Sequence, residues 1–306
     1  MEFTICIATY NRAHTINRTL DSLVNQTFKD FEVLVIDDGS SDNTQEKITS
    51  YKELLNLIYI KKENGGKSSA LNVGFTRARG DFFIILDSDD WLVNDALGKM
   101  KKKWDEIQDK DAYCGIMGRC AYENGGLIGK PFPHENFISS YIDYHFGSGF
   151  KIGGYGDCCE SIRTSLLKAY TYPIPKNTRF VPESYVMDQI GLNYKLLCTN
   201  EVYEIKEYLE DGMTINNLAH VQMNASGYIV GYVSRLEDIF PKTKISLDCK
   251  ILSWYQYWNL LKYDKEQNAP RVKNVPFIGQ LVRIVSVPMK IYFKIVSILK
   301  LFYTKS

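Results

Sequence analysis

Within the first 90 residues, four short apolar runs alternate with helix-patterned segments, and each run gives way to polar residues. The runs are Phe3–Ala8, Phe31–Ile36, Leu57–Lys61 and Phe82–Leu86. Each is short, mostly apolar and rich in β-branched or aromatic residues, as a strand buried on both faces must be. Between them, residues 11–24, 44–51 and 67–79 place apolar side chains at one-face helical spacing, as with Ile16, Leu20, Leu23 and Val24. Strands and helices alternating at this spacing predict an α/β domain with a mainly parallel sheet and right-handed crossovers. Ligands of such sheets bind beyond the carboxyl ends of the strands. Thr9-Tyr10-Asn11, Asp37-Asp38-Gly39 and Asp87-Ser88-Asp89 all follow strand ends, so the fold is expected to gather them at one edge.

The last of these segments carries the sharpest chemistry. An apolar strand gains nothing by ending in Asp87-Ser88-Asp89-Asp90, because neighbouring carboxylates repel unless a cation or solvent compensates them. An Asp-x-Asp pair suits a hard divalent cation such as Mg²⁺ or Mn²⁺, held by one or two carboxylates while a bound diphosphate supplies further oxygens. The competing reading is a solvated turn, since Asp and Ser are common turn formers. Its position after the fourth strand, beside two other polar strand ends, favours the cation.

The second half is less regular. Residues 112–122 are expected as a strand, 125–133 as a Gly/Pro-rich connection, and 153–157 as a flexible loop before a short helix over 160–170. Residues 182–197 read as a helix, 201–208 as a strand and 218–263 as helical. The organisation expected is a first half (1–100) and a second half (101–217) of one α/β domain, a helical extension (218–270) and a basic apolar tail (271–306). No acidic residue follows Glu266, whereas seven Lys and Arg do. Charges and Pro288 interrupt the tail too often for a membrane span. Its composition suits the surface of an anionic membrane, the alternative being a helix docked on protein. A formal net charge of +1 gives no global basicity of the kind nucleic-acid binding uses. Seven irregularly spaced cysteines suggest neither a zinc site nor a disulfide framework, and no signal-peptide pattern is present. A cytoplasmic protein at the inner membrane face is therefore expected.

Taken in order, Ala8-Thr9-Tyr10-Asn11-Arg12, Ile36-Asp37-Asp38-Gly39-Ser40, Glu63-Asn64-Gly65-Gly66-Lys67, Ala70-Leu71-Asn72 and Leu86-Asp87-Ser88-Asp89-Asp90 resemble the family 2 glycosyltransferases. The resemblance implies a GT-A fold, Rossmann-like with helices on both faces of the sheet, and transfer of one sugar from a nucleotide donor with inversion. It implies donor contacts from Thr9, Tyr10, Asn11, Asp37, Asp38, Gly66, Lys67, Asn72, Asp87 and Ser88. Asp38 would accept from the base N3–H, which uracil has and cytosine lacks, so a UDP-sugar is expected. Gly65-Gly66-Lys67 would bring backbone N–H groups and one cation to the diphosphate. Asp89, with Asp87, would bind the metal, and Asp90 would sit beside it or cap the next helix. His220 is assigned to the diphosphate or metal, the alternative being a structural histidine.

An inverting displacement also needs a base for the acceptor hydroxyl. Around Gly156–Thr164 and Phe180–Glu183 the chain resembles the acceptor side of a bacterial polysaccharide subgroup. Many members carry a Glu-Asp pair on the next helix, where this chain has Met187-Asp188. Glu183 and Asp188 are therefore both candidates, with Glu183 placed first. The multiple transmembrane helices and the Gln-x-x-Arg-Trp motif of processive synthases are absent, so a non-processive enzyme acting on a lipid-linked or polysaccharide acceptor is expected. The rivals are a sugar-nucleotide-binding homologue without catalysis and, further off, a sugar nucleotidyltransferase.

Overall fold

The computed structural model describes residues 1–147, 154–207 and 217–284. The 153 end of the expected flexible loop, most of the Glu207–Thr214 segment and the tail from residue 285 lie outside the described residues.

The first half follows the alternation in the sequence: β1 (Phe3–Thr9), α1 (Ile16–Val24), β2 (Phe31–Asp37), α2 (Thr44–Thr49), β3 (Leu57–Lys61), α3 (Lys67–Arg77) and β4 (Phe82–Ile85). These four strands pair in parallel in the order β3-β2-β1-β4. Alternate side chains of one strand enter opposite cores, as the period of two requires. Ile5, Ile7, Val33 and Val35 join the core that holds α1, whereas Cys6, Leu34 and Ile36 join the one that holds α3. Each such aliphatic side chain contributes roughly 1.5–3 kcal/mol when fully removed from water.

The chain then runs through β5 (Trp91–Leu92), α4 (Ala96–Glu106), β6 (Tyr113–Ala121), β7 (Phe137–Ser139), α5 (Tyr141–Phe146), β8 (Cys158–Arg163), α6 (Thr164–Leu167), α7 (Ser184–Ile190) and β9 (Lys195–Ile205). β8 inserts antiparallel between β4 and β6, β9 lies parallel to β6, and β5 and β7 pair antiparallel with β9.

Two sequence expectations fail here. The helix expected over 160–170 is a strand to Arg163 followed by one helical turn, because edge pairing with both β4 and β6 outweighs local propensity. The helix expected over 182–197 ends at Ile190. At Gly191 the chain passes so close to Tyr141 that a Cβ would lie 2.8 Å from the tyrosine Cβ. Residues from Lys195 onward are consumed by β9, six residues earlier than the strand expected from Glu201.

Helices α8 (Asn217–Met223), α9 (Ala225–Ser234) and α10 (Leu247–Leu260) follow the sheet, α9 running into a π turn at Arg235–Ile239, and residues 277–284 are helical as well. They enclose their own core around Ile229, Trp254 and Tyr257, while Val230 of α9 packs into the sheet core. The helical extension is therefore seated on the α/β body. Among the described residues, no helix is long and apolar enough to cross a membrane.

Candidate active site

Parallel pairing places Thr9 beside Asp37 and carries β4 past Cys6 to the same edge, so the three polar strand ends converge. At the β1–β2 end the loops lock together. The Asp38 N–H donates to the Thr9 carbonyl (2.8 Å), and the Asn11 N–H donates to Ser40 Oγ (2.9 Å). Asn11 takes φ +51°, which Asn tolerates, and its side-chain oxygen accepts from the Ser41 N–H at 2.8 Å. Thr9 Oγ1 is buried with no hydrogen-bond partner among the described residues, while Tyr10 is exposed at the rim.

The two aspartates of the second strand end are engaged differently from the sequence expectation. Asp37 is fully buried. It accepts from the Ser40 N–H (2.7 Å) and the Tyr59 hydroxyl (2.5 Å), and so organises the turn. Asp38 accepts from Lys62 Nζ (2.7 Å) and from the N–H groups of Gly65 (3.0 Å) and Gly66 (2.6 Å). The glycine amides expected at a diphosphate therefore close onto Asp38. The Asn72 side-chain amide donates to the Tyr172 carbonyl (2.9 Å) and accepts from the Tyr172 N–H (2.7 Å), a two-point tie between α3 and the segment before residues 178–181.

A strap formed by residues 178–181 crosses the N-terminus of α3. Ser68 Oγ both donates to the Val181 carbonyl (2.8 Å) and accepts from the Val181 N–H (2.9 Å). Gly66, at φ +86°, lies so close under the strap that a Cβ would meet the Arg179 carbonyl oxygen at 1.6 Å. Gly66→Ala is accordingly expected to lower stability by about 2 kcal/mol or more, read as a drop in thermal midpoint.

The strap delivers Glu183, at the start of α7, to Lys67. Lys67 Nζ sits 2.5 Å from Asp87 Oδ1 and 2.8 Å from Glu183 Oε1. Burial works against the Lys67 charge, but these two carboxylates more than offset it and hold its pKa above the ordinary lysine value. Asp87 and Glu183 side chains remain 34% and 35% exposed, so both still face the cleft. Burial raises the Asp87 carboxyl, yet Lys67 and Lys206 override it and bring it down to about 2.

Asp89 is the least paired of the three acids, with Arg12 the cation acting on it. Among the described residues no hydrogen bond or ion pair to its carboxylate is formed by another side chain, and Arg18 reaches only its backbone carbonyl (2.8 Å). Burial, with Asp87 and Asp90 beside it, pushes its pKa up to about 6. Ser88 between them is buried. Asp90 accepts from Lys206 Nζ (2.6 Å) and the Glu207 N–H (3.1 Å), so it anchors the end of β9, while α4 begins after Asp95. No three acidic, histidine or cysteine side chains among the described residues are grouped as a complete metal cage. A cation here would take one or two carboxylates and complete its shell with ligand oxygens. His220 is set apart from the acids. Its ring packs against Phe180 and Tyr228, and burial lowers its pKa.

Asp188, the second candidate base, is buried in α7. It accepts from His145 Nδ1 (2.5 Å) and Arg235 Nε (2.9 Å), and Arg235 donates onward to Ser184 Oγ (2.8 Å). Burial raises its pKa, but His145 and Arg235 prevail and lower it. A carboxylate so committed is an internal tie between α5, α7 and the helical extension. Arg163 likewise pairs with Asp111 (3.0 Å).

Sequence reasoning assigned no part to Lys206, Glu204 or Glu160. Lys206 binds Glu204 (2.8 Å) and Asp90, and Glu160 on β8 is pushed up to about 8 by burial, with Glu183 and Glu204 adding to the shift. Only the sheet order brings Lys206 to Asp87 and Asp90 and sets Glu160 near Glu204, so no local pattern marks them.

The profile of glycosyl transferase family 2 matches residues 4–171. Over 138 residues the chain is 33% identical to GalNAc(5)-diNAcBac-PP-undecaprenol beta-1,3-glucosyltransferase of Campylobacter jejuni, an alignment covering 43% of this chain and 42% of that protein. Aligned stretches make up only 15–42% of the length of such curated relatives. Among solved structures, S. aureus TarS 1-349 in complex with UDP superposes with a TM-score of 0.56 at 20% identity, over 94% of this chain and 89% of that one. A Pyrobaculum calidifontis mannosyltransferase in complex with GDP-Man and Mn²⁺ gives 0.55 at 17% identity, over 86% and 73%. Both likenesses are of fold. With more than half of its residues under the family profile and the parallel strand ends, acidic turn and flanking helices of a GT-A sheet in place, this chain belongs to glycosyl transferase family 2.

Proposed function

We propose that the protein is an inverting, non-processive glycosyltransferase that moves one sugar from a UDP-sugar to a hydroxyl of a lipid-linked or polysaccharide acceptor. The observation that carries this reading is the convergence of Asp87, Asp89, Lys67 and Glu183 at one sheet edge. The Campylobacter relative is named for transfer to an undecaprenol diphosphate-linked acceptor, and TarS binds UDP; both support the substrate classes chosen.

The nucleoside would lie over the β1–β2 ends, beside the unpartnered Thr9 hydroxyl and the exposed Tyr10 ring. Asp38 accepts three hydrogen bonds and has capacity for one more, which a uracil N3–H would fill. Asp89, with Asp87, would hold Mn²⁺ or Mg²⁺, whose chemistry there is to neutralise charge on the leaving diphosphate. The mannosyltransferase neighbour, solved with Mn²⁺, supports divalent metal use in this fold. Glu183 would take the acceptor proton. Lys67 spans the donor side and the base, so an arriving diphosphate competes with both carboxylates for one cation. A family member working on a lipid-linked acceptor would operate at the inner face of the membrane.

The test is UDP release and product analysis over a panel of UDP-sugars and acceptors with Mn²⁺. Inversion of the anomeric configuration by NMR is the expected outcome; retention would overturn the mechanism. Asp89→Asn should abolish metal-dependent turnover and yet stabilise the metal-free protein by on the order of 1 kcal/mol, by removing a carboxylate held among two others. Its pKa is raised on folding, so the penalty grows as pH rises from about 4 towards 6 and is then constant; the stabilisation should follow that course. Mn²⁺ affinity of the wild type should fall as pH drops through about 6, because a protonated Asp89 is no ligand.

A further inference from the structure

We propose that the outer face of the helix at 277–284 docks the protein on an anionic lipid bilayer. The proposal rests on the membrane part of the reading above and not on its chemistry. One face of this helix is satisfied by protein: Val282 is buried in the helical core, a Cβ on Gly279 would lie 2.8 Å from the Trp254 ring, and Trp258 Nε1 donates to the Gly279 carbonyl at 3.0 Å. The other face carries Phe277, Leu281 and Ile284 at the i, i+4, i+7 spacing that aligns side chains on a helix, and they are 79%, 43% and 76% exposed.

Two observations select a membrane over other occupants. The first is charge: residues 267–306 contain seven Lys and Arg and no Asp or Glu. A second copy of this chain would bring the same excess and repel it, whereas anionic headgroups complement it. The second is composition: the 22 residues after Ile284 are mostly aliphatic and aromatic with lysines at 290, 294, 300 and 305, the pattern of a segment that partitions into an interface. Between this helix and α10 lies a cleft of about 610 Å³ lined by Trp258, Val275, Gln280, Arg283 and Ile284. In this cleft the Arg283 guanidinium lies over the Trp258 ring, 4.9 Å from its centroid.

The experiment is sedimentation of the full chain with phosphatidylcholine vesicles, with and without phosphatidylglycerol. Binding is expected only with phosphatidylglycerol, to weaken as salt is raised, and to fall about tenfold or more in the Phe277→Asp, Ile284→Asp double variant while the thermal midpoint stays within a degree or so. Wild-type binding in the double variant would overturn the assignment of this face. Absence of binding by the wild type would overturn the lipid, and self-association that the double variant abolishes would hand the face to a second copy. UDP-sugar hydrolysis in solution is expected to be the same in both proteins, so vesicle binding and catalysis fail independently.

Discussion

Glu183→Gln should lower kcat by about 10²–10⁴-fold while leaving donor affinity within a few-fold of wild type. Glutamine keeps the shape of the side chain and can still contact Lys67, which retains Asp87 at 2.5 Å, so the fold and the donor floor survive. What is lost is a group that can accept the hydroxyl proton. Steady-state kinetics beside a nucleotide titration separates the two: a large fall in turnover with unchanged donor binding is the signature of a base. Turnover within tenfold of wild type would move the base elsewhere.

Asp188→Asn should act on stability. The substitution leaves Arg235 partly buried without its carboxylate, and breaking a buried pair from one side costs about 3–5 kcal/mol. For a chain of this size that lowers the thermal midpoint by roughly 6 °C or more. The sign with pH follows from the lowered pKa. The contribution of Asp188 is present above the unfolded carboxyl value of about 3.9 and is lost as pH falls through its folded value, so wild type and variant should converge in acid. Residual enzyme held folded at low temperature should keep a substantial share of its turnover. A variant as stable as wild type but inactive would restore Asp188 as the base.

The first half of this fold was legible because its information is local. A parallel strand buried on both faces must be apolar, the helix that follows must be amphipathic, and the turn between them must be polar, so periodicity alone places β1 to β4 and the segments at their ends. The acidic turn was legible for the same reason: nothing in a strand–turn–helix unit needs Asp87, Asp89 and Asp90 together. The misread elements are those with distant partners. Residues 160–163 form a strand because β4 and β6 flank them, from about 80 and 45 positions away in sequence.

The sequence by itself determined the four parallel strands of the first half, the gathering of their polar ends at one edge, and the family. Only the tertiary structure decided how the polar side chains there are paired. Asp37, Asn72 and Asp188 are each engaged by partners brought near in space: Tyr59, the Tyr172 backbone, and the His145–Arg235 pair. Glu183 reaches Lys67 only because the strap at 178–181 is pinned on Ser68. A side chain's chemistry is written in its type, but its availability depends on burial and hydrogen-bond pairing, and those are properties of the packed molecule.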